Sequence, residues 1–260
     1  MIDLHCHILP GLDDGPENFD EALKMAEAAE KDGIHTVVAT PHTHNGVYTN
    51  PPTLVRKETE AFSRRIAGRG LALSVLPGAE VHLCPDMAAK VKAGEVGTVN
   101  DGGRYLLVEL PFRALPEGFS SELFQLNLEG IMPILVHPER IFELQQRFDL
   151  FYELVAMGCL TQVTAMSITG ELGGAARKCA HRLLRCRLAH LIASDAHSAD
   201  GRPPVLTAAV AEAARILESR EEAMALVTER PQAILDGRPV SVPEPIHPEK
   251  RKWRFFHRKR

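Results

Sequence analysis

Short apolar runs alternate with amphipathic helical patterns along most of this chain. Residues 2–7 have the apolar character of a buried strand, and residues 18–31 repeat apolar positions at helical spacing. Asn18 is placed to cap that helix and Gly33 to end it. The alternation recurs about seven times with short connections, which is typical of a parallel α/β fold. We predict a single-domain parallel α/β barrel, distorted and with fewer than eight units; a doubly wound open sheet is the alternative.

The remaining elements follow the same two patterns. Predicted strands lie at residues 35–40, 71–78, 105–111, 132–137, 160–164 and 190–193, and predicted helices at 54–68, 120–128, 141–157, 171–185, 204–218 and 221–228. Ser219 and Glu222 have the spacing of a capping box for the last of these helices. Because no Gly-rich phosphate loop follows the first strand, the pattern argues against a dinucleotide-binding sheet.

Side chains that can bind metal ions follow the predicted strands. His5 and His7 are two residues apart on the first strand and therefore face the same side, whereas Cys6 faces the other. Strand ends of an α/β barrel converge on one face, so we expect such residues to form one cluster there. The candidate metal ligands are His5, His7, Asp14, His42, Glu80, Glu109, His137, Asp195 and His197.

This ligand set predicts both the kind of metal and the kind of chemistry. Imidazole and carboxylate ligands together suit Mn, Fe or Zn better than Ca or Mg. The number of ligands is right for two or three ions, which would attract a phosphate dianion and lower the pKa of a bound water enough to supply hydroxide as nucleophile. Arg140 and Arg202 follow two of the ligand motifs and are candidates for binding the phosphate oxygens. Surface ion pairing is the alternative role for either arginine.

Composition narrows the class of protein. The chain has 260 residues, 45% of them hydrophobic and 25% charged, as in ordinary globular proteins. The net charge of −4 and the acidic body argue against a nucleic-acid partner. The five cysteines form no C-x-x-C pair and indicate neither a disulfide framework nor a zinc ribbon, which favours a reducing, cytoplasmic setting. No signal-peptide pattern follows Met1, and no apolar run approaches a membrane span.

Six motifs occur in an order that resembles a known family. They are HCHILPGLDDGP, TPH followed by NGVY, LPGAE, VELP, GIMPILVHPER, and ASDAH with a following arginine. Together they resemble the PHP (polymerase and histidinol phosphatase) superfamily. They are more closely similar to the manganese-dependent bacterial tyrosine-protein phosphatases of capsule and exopolysaccharide loci, the CpsB/YwqE type. The resemblance covers residues 1–228 and implies a distorted (β/α)7 barrel with a trinuclear Mn²⁺ site.

The resemblance also implies roles for individual residues and a partner. One metal would be held by His5, His7, Glu80 and Asp195, a second by Glu80, Glu109 and His137, and a third by Asp14, His42 and His197. Arg140 and Arg202 would bind phosphate. The implied substrate is phosphotyrosine on an autophosphorylating tyrosine kinase that controls polysaccharide export. The chain departs from the family pattern at His82, where relatives often carry arginine, and at Met166, which replaces a small residue.

Other functions remain open at this stage. A histidinol-phosphate-type phosphomonoesterase or a nuclease would use a similar metal site, and a third alternative is a non-catalytic metal-binding regulator that docks on a kinase. The segment 179–185 fits the C-x5-R pattern of cysteine phosphatases. It lies in a predicted helix and contains no glycine to open a phosphate-binding loop, so we do not interpret Cys179 as a nucleophile.

Two segments have alternative interpretations. Residues 44–50 predict either a mobile lid over the metal site or a plain surface loop. We expect residues 1–242 to form the phosphatase domain and residues 243–260 a flexible tail, Pro-rich at first and then basic and aromatic. Such a tail suits either contact with an anionic membrane surface or an acidic partner, or the role of a disordered solubilising segment.

Overall fold

Parallel strands form the centre of the molecule. The structure is a computed structural model that describes residues 1–247. Its strands are β1 (Ile2–Cys6), β2 (Thr36–Ala39), β3 (His42–Thr43), β4 (Ser74–Pro77), β5 (Glu80–His82), β6 (Tyr105–Glu109), β7 (Met132–Val136), β8 (Leu160–Thr164) and β9 (Leu191–Ala193). Seven of them lie where strands were predicted, and the short β3 and β5 are additions.

Helices connect almost all of these strands. They are α1 (Phe19–Lys31), α2 (Pro52–Ala67), α3 (Met87–Lys92), α4 (Phe119–Leu128), α5 (Phe142–Gln146), α6 (Asp149–Ala156), α7 (Ala165–Thr169), α8 (Gly174–Arg185), α9 (Thr207–Leu217), α10 (Arg220–Ala225) and α11 (Glu229–Leu235). The predicted caps are confirmed: the Asn18 side chain accepts a hydrogen bond from Glu21 N, and that of Ser219 accepts one from Glu222 N.

The predicted helices differ from the observed ones in several places. Residues 141–157 form two helices, because the chain leaves helical geometry at Arg147 before it buries Phe148 in the core. The sequence pattern also missed α3, α7 and α11, the last of which contains Pro231. This proline lies in the first helical turn, where its missing N–H has no partner inside the helix to lose.

All the strand pairs are parallel, as the βα alternation predicts. One sheet has the order β1-β2-β4 and the other the order β3-β5-β6-β7-β8-β9. The two sheets meet beside β1, where Cys6 forms a bridge with Ala196 and Asp195 N donates to His5 O at 2.9 Å. The parallel α/β architecture is therefore confirmed. Among residues 1–247 the strand pairing describes two sheets and not one closed ring.

Apolar residues cover both faces of the strands. Tyr105 and Leu107 of β6 face an inner cluster, whereas Leu106 and Val108 belong to a larger cluster formed with the helices. The inner cluster consists of Ile2, Leu4, Val38, Val99, Tyr105, Leu107, Ile134, Val136, Leu160, Leu191 and Ile234. Because it contains residues of both sheets, the sheets share one interior, and most of their strand residues are buried, as in parallel sheets covered on both faces.

The first residues of the predicted tail lie against the body. Ile246 N donates to Cys186 O at 2.8 Å, and Tyr152 Oη donates to Ile246 O at 2.8 Å. The His247 ring stacks on Tyr152 with the centroids 4.0 Å apart. The basic and aromatic part of the tail, residues 248–260, lies outside the described residues. Among residues 1–247, no helix combines the length and the apolar character needed to cross a bilayer.

Candidate metal centre

The carboxyl ends of the strands bring the predicted ligands together. The pairing of β3 with β5 sets His42 opposite Glu80, and Glu109 ends the neighbouring β6. Each of the other ligands also lies on a strand or in the loop that follows one. The residues that this arrangement collects are His5, His7, Asp14, His42, Glu80, Glu109, His137, Asp195 and His197.

At the bottom of the site, three donor atoms lie close enough to share one ion, and a fourth lies beside two of them. His5 Nε2 and His7 Nε2 are 3.2 Å apart, and they lie 3.4 and 3.3 Å from Glu80 Oε2. Each is also 3.6 Å from Asp195 Oδ1. Donors about 2.1 Å from a shared tetrahedral ion are separated by about 3.4 Å, so the spacing of His5, His7 and Glu80 fits one metal ion. All four residues are buried.

Glu80 extends the cluster on both sides. Its Oε1 lies 2.8 Å from His137 Nε2, and its Oε2 lies 2.8 Å from His42 Nδ1. Glu109 is more distant, 3.9 Å from each of these two imidazoles. The Glu80 carboxylate therefore lies between His137 and His42, with Glu109 farther from both.

A third group lies nearer to solvent. Asp14 Oδ1 is 3.5 Å from His42 Nε2 and 3.4 Å from His197 Nε2. The hydrogen bond from His197 outweighs the effect of partial burial and holds the pKa of Asp14 below its usual range. His7 lies next to this group, because its ring centroid is 3.9 Å from that of His197. The cluster is therefore continuous from the buried quartet to the exposed Asp14.

Two arginines close the site on the Asp195 side. Arg140 Nη1 donates to Asp195 Oδ2 at 2.8 Å, and Arg202 Nη2 donates to the same oxygen at 2.5 Å. Burial disfavours the charged carboxylate, but the attraction of His5, His137 and Arg202 lowers the pKa of Asp195. Both guanidinium groups are partly exposed, so further N–H donors remain available to an anion.

Sequence reasoning missed the residues that orient the ligands. His7 Nδ1 donates to Asp13 Oδ2 at 2.6 Å, and His5 Nδ1 donates to Gln162 Oε1 at 3.0 Å. Asp13 also accepts from His42 N at 2.9 Å. A Cβ at Gly15 would lie 2.4 Å from His7 O, so glycine is required for this loop to pack on the histidine. The D-D-G run contains both the predicted ligand Asp14 and its neighbour Asp13, so the position of Asp13 next to a ligand was the signal for its role.

The two departures from the family pattern have places in this structure. His82 Nδ1 donates to Glu109 Oε2 at 3.0 Å. An arginine at this position could bind the same carboxylate, so His82 replaces it as a hydrogen-bond donor. Met166 lines a small, mostly apolar cavity beside the loop that carries Arg202, together with Gly201 and Pro203. Both departures leave the candidate ligands in place.

The backbone is unusual at two of the candidate ligands. His137 and Asp195 have φ angles of 36° and 53°, in the left-handed region that non-glycine residues rarely adopt. Such conformations cost about 1–3 kcal/mol each and persist where the surrounding structure imposes them. The strain turns both side chains back over the strand ends, towards Glu80 and His5.

These residues fit a set of divalent ions. Among residues 1–247, the buried His42 Nδ1 and Glu80 Oε2 lie 2.8 Å apart, but neither atom makes a hydrogen bond of good geometry. A bound cation would satisfy both atoms, which are costly to leave unpaired. Three groups of residues have donor atoms close enough to share an ion. The first is His7, Asp14, His42 and His197, the second is His5, His7 and Glu80, and the third is His42, Glu80 and Glu109. The donor types match Mn, Fe or Zn.

Loop 44–50 and Cys179, for which the sequence allowed more than one role, do not belong to the ligand set. Residues 44–49 are tied down at their end by Asn50, whose Nδ2 donates to His42 O and Leu12 O. Tyr48 N and Val47 N donate to Asn45 Oδ1 and form a tight turn. Cys179 is buried within α8.

Comparison with known proteins identifies the family. The family described as capsular polysaccharide synthesis, CpsB/CapC, matches residues 1–236. The tyrosine-protein phosphatase YwqE of Bacillus subtilis is 37% identical over 202 residues, which are 78% of this chain and 79% of YwqE. The tyrosine-protein phosphatase CpsB of Streptococcus agalactiae serotype III is 30% identical over 243 residues, 90% of this chain and 98% of CpsB.

Solved structures agree with this match. A chain from the crystal structures of YwqE from Bacillus subtilis and CpsB from Streptococcus pneumoniae, described as metal-dependent tyrosine phosphatases, has a TM-score of 0.89 and 33% identity. It covers 95% of this chain and 100% of its own length. A β-aspartyl dipeptidase of Fervidobacterium islandicum, at 15% identity and a TM-score of 0.56 over 94% of this chain and 75% of its own, shares the fold alone.

These relatives confirm the family and the enzyme class predicted from the motifs, metal-dependent tyrosine-protein phosphatases. The chain belongs to the CpsB/CapC family of capsular polysaccharide synthesis.

Proposed function

We propose that this chain hydrolyses phosphotyrosine in proteins at a centre of three divalent ions, Mn²⁺ being the expected metal. The observation that carries the proposal is the convergence of the imidazole and carboxylate ligands on one strand-end face, beside two arginines. Relatives named tyrosine-protein phosphatases in three genera support the substrate class.

The proposed ligand sets follow the contacts around Glu80. The spacing of the buried quartet supports the first set, and the short contact of His137 with Glu80 supports the second. The contacts of Asp14 with two histidines support the third. The sets are His5, His7, Glu80 and Asp195; Glu80, Glu109 and His137; and Asp14, His42 and His197.

The chemistry divides between the ions and the protein. Bound divalent ions would lower the pKa of water at the site and offset the negative charge of a phosphate ester. Arg140 and Arg202 bind and orient the non-bridging phosphate oxygens, and their shared partner Asp195 holds both guanidinium groups in place. Asp13 and Gln162 fix the imidazoles of His7 and His5, so that each ring presents Nε2 to the centre.

We further propose that the strands close into a distorted (β/α)7 barrel over residues 1–242. The inner cluster supports closure, because it combines residues of both sheets, and so does the bridge between Cys6 and Ala196. The contact of Ile246 with Cys186 indicates that the body extends slightly further along the chain than residue 242.

The proposed partner is an autophosphorylating bacterial tyrosine kinase of the polysaccharide export system. The family description, capsular polysaccharide synthesis, supports this partner. We propose a cytoplasmic location, with the basic and aromatic residues of 248–260 able to contact the inner membrane surface. Deleting residues 248–260 should then weaken binding to vesicles of anionic phospholipid, and unchanged binding would contradict this role of the tail.

The first experiment compares two substrates on one protein preparation. The full chain is stripped with a chelator, resupplied with Mn²⁺, and given a phosphotyrosine peptide or histidinol phosphate. We expect phosphate release from the peptide that depends on the metal. His42→Ala should abolish it, whereas His35→Ala, which changes an exposed histidine just before β2, should not.

The other outcomes contradict the proposal in different ways. Release from histidinol phosphate alone would keep the metal centre but make the protein a small-molecule phosphatase. Release from neither substrate would favour a non-catalytic protein that docks on a kinase.

A further inference from the structure

Two aromatic rings flank the candidate metal centre on opposite sides of Glu80. Tyr48 lies parallel to the ring of His42, with the centroids 6.2 Å apart and the planes 8° apart. Phe112 stacks on His137, with the centroids 5.3 Å apart and the planes 17° apart. Since His42 and His137 contact the two oxygens of the Glu80 carboxylate, the two rings stand on either side of it. We name Tyr48 and Phe112 the aromatic rim.

The backbone of both rim residues is held by hydrogen bonds, and their rings remain open to a ligand. Phe112 O accepts a hydrogen bond from Phe142 N at 2.9 Å, and Tyr48 N donates to Asn45 Oδ1 at 2.8 Å. The Phe112 side chain is nevertheless 40% exposed, and Tyr48 is partly exposed. Large apolar side chains that stay exposed beside a polar site are typical of ligand-binding surfaces.

Phe112 also lies next to the phosphate-binding group. The guanidinium carbon of Arg140 is 4.9 Å from the Phe112 centroid, while Arg140 Nη1 is bound to Asp195. A phosphate held by Arg140 therefore has Phe112 as its neighbour. A group esterified to that phosphate would therefore lie within reach of the phenylalanine ring.

We propose that the aromatic rim binds the phenyl ring of phosphotyrosine and makes the enzyme prefer aryl over alkyl phosphates. This inference rests on the proposed function, because it assigns residues that select the substrate of the same site. In an aryl phosphate the ring is joined directly to the ester oxygen, so its faces lie within reach of the rim. The single methylene of a phosphoserine has no aromatic face to stack.

The expected size of the effect follows from aromatic pairing. One offset or edge-on pair of rings contributes about 2- to 10-fold in affinity beyond simple burial. Two rim residues should therefore give a preference of about tenfold or more for an aryl ligand. The same rings contribute little to binding of the phosphate group itself.

The test measures binding, which does not require turnover. The full chain loaded with Mn²⁺ is titrated with phenylphosphonate and with methylphosphonate in a calorimeter. We expect the wild type to bind phenylphosphonate about tenfold more tightly. Phe112→Ala and Tyr48→Ala should each lower this ratio about 2- to 10-fold and leave the affinity for methylphosphonate unchanged.

Two control variants accompany the titration. Phe112→Tyr keeps an aromatic face and should keep the preference. Phe124→Ala removes a half-exposed phenylalanine on α4 and should not change either affinity. The ratio of kcat/KM for a phosphotyrosine peptide over a phosphoserine peptide should fall with the binding ratio in both alanine variants of the rim.

Three results would overturn the inference. If the rim variants weaken both phosphonates equally, the rings only support His42, His137 and Arg140. If the wild type binds both phosphonates equally, the rim does not select aryl groups. If the wild type binds neither, the proposed phosphate site is wrong as well, which separates failure of the function from failure of the inference.

Discussion

Single residues outside the ligand set decide how the imidazoles face the centre. His7 and His5 each use Nδ1 to bind a fixed acceptor, Asp13 and Gln162, and this leaves Nε2 for the metal side. Burial disfavours the charged ring of His7, but its hydrogen bonds to Asp13 and Glu80 outweigh burial and raise its pKa. Partners of this kind commonly set the affinity of a metal site.

We therefore expect Asp13→Ala to weaken Mn²⁺ binding by about 10- to 100-fold, because His7 and the backbone of His42 lose a common anchor. Competition with a coloured chelator measures the affinity. Asp20→Ala, which removes an exposed carboxylate in the first turn of α1, is the matched control and should bind the metal normally. Equal affinities of the two variants would show that Asp13 does not support the site.

At the level of elements, the helix α8 shows why the C-x5-R segment is not the phosphate-binding loop of a cysteine phosphatase. Cys179 lies inside this helix, where the backbone N–H groups are engaged in helical hydrogen bonds and cannot cradle a phosphate. Burial raises the pKa of its thiol to about 12, so the thiolate is scarce at neutral pH. The helix therefore presents this cysteine as part of the core.

We expect Cys179→Ser to keep the phosphatase activity of the wild type within about twofold, because the thiol takes no part in the reaction. The measurement is Mn²⁺-dependent phosphate release from a phosphotyrosine peptide. Cys159→Ser, another buried cysteine with a raised pKa, serves as the control for any loss of stability. A folded Cys179→Ser protein without activity would refute the metal-dependent mechanism.

At the scale of the whole molecule, the amino ends of the strands are joined to the last helix. His190, at the start of β9, accepts a hydrogen bond from Thr161 N at 3.1 Å, and its carbonyl accepts one from Arg230 of α11. Burial, with a smaller contribution from Arg230, lowers the pKa of His190 to about 4. The native protein therefore holds this histidine neutral.

This histidine should make stability fall in mild acid. Between its usual pKa of 6.5 and its native pKa of about 4, the unfolded chain binds the proton more strongly, so the free energy of unfolding decreases as the pH falls. The contribution lost at pH 5 is about 2 kcal/mol. His190→Asn, which keeps an acceptor for Thr161, should flatten this part of the profile. Urea unfolding at pH 7 and pH 5 measures the change in the free energy of unfolding between the two pH values. An equal change in the wild type and the variant would contradict the expectation.

The periodic patterns of the chain predicted most of the fold. Strand β8 has the predicted bounds, and α1 begins at its predicted cap, because short apolar runs and capping residues act through local backbone physics. The wrong predictions lie where contacts between distant residues decide the structure. The helix breaks at Arg147 and Phe148 is buried in the core, and α11 forms although a proline lies in its first turn.

By itself, the sequence determined the parallel α/β class, the family and the set of candidate ligands, since spacing and residue type carry that information along the chain. Only the tertiary structure decided which atoms meet: that Glu80 lies between His42 and His137, that Arg140 and Arg202 share one oxygen of Asp195, and that Tyr48 and Phe112 flank the centre. These contacts join residues far apart in the chain, and parallel strand packing brings them together in a way that no local pattern encodes.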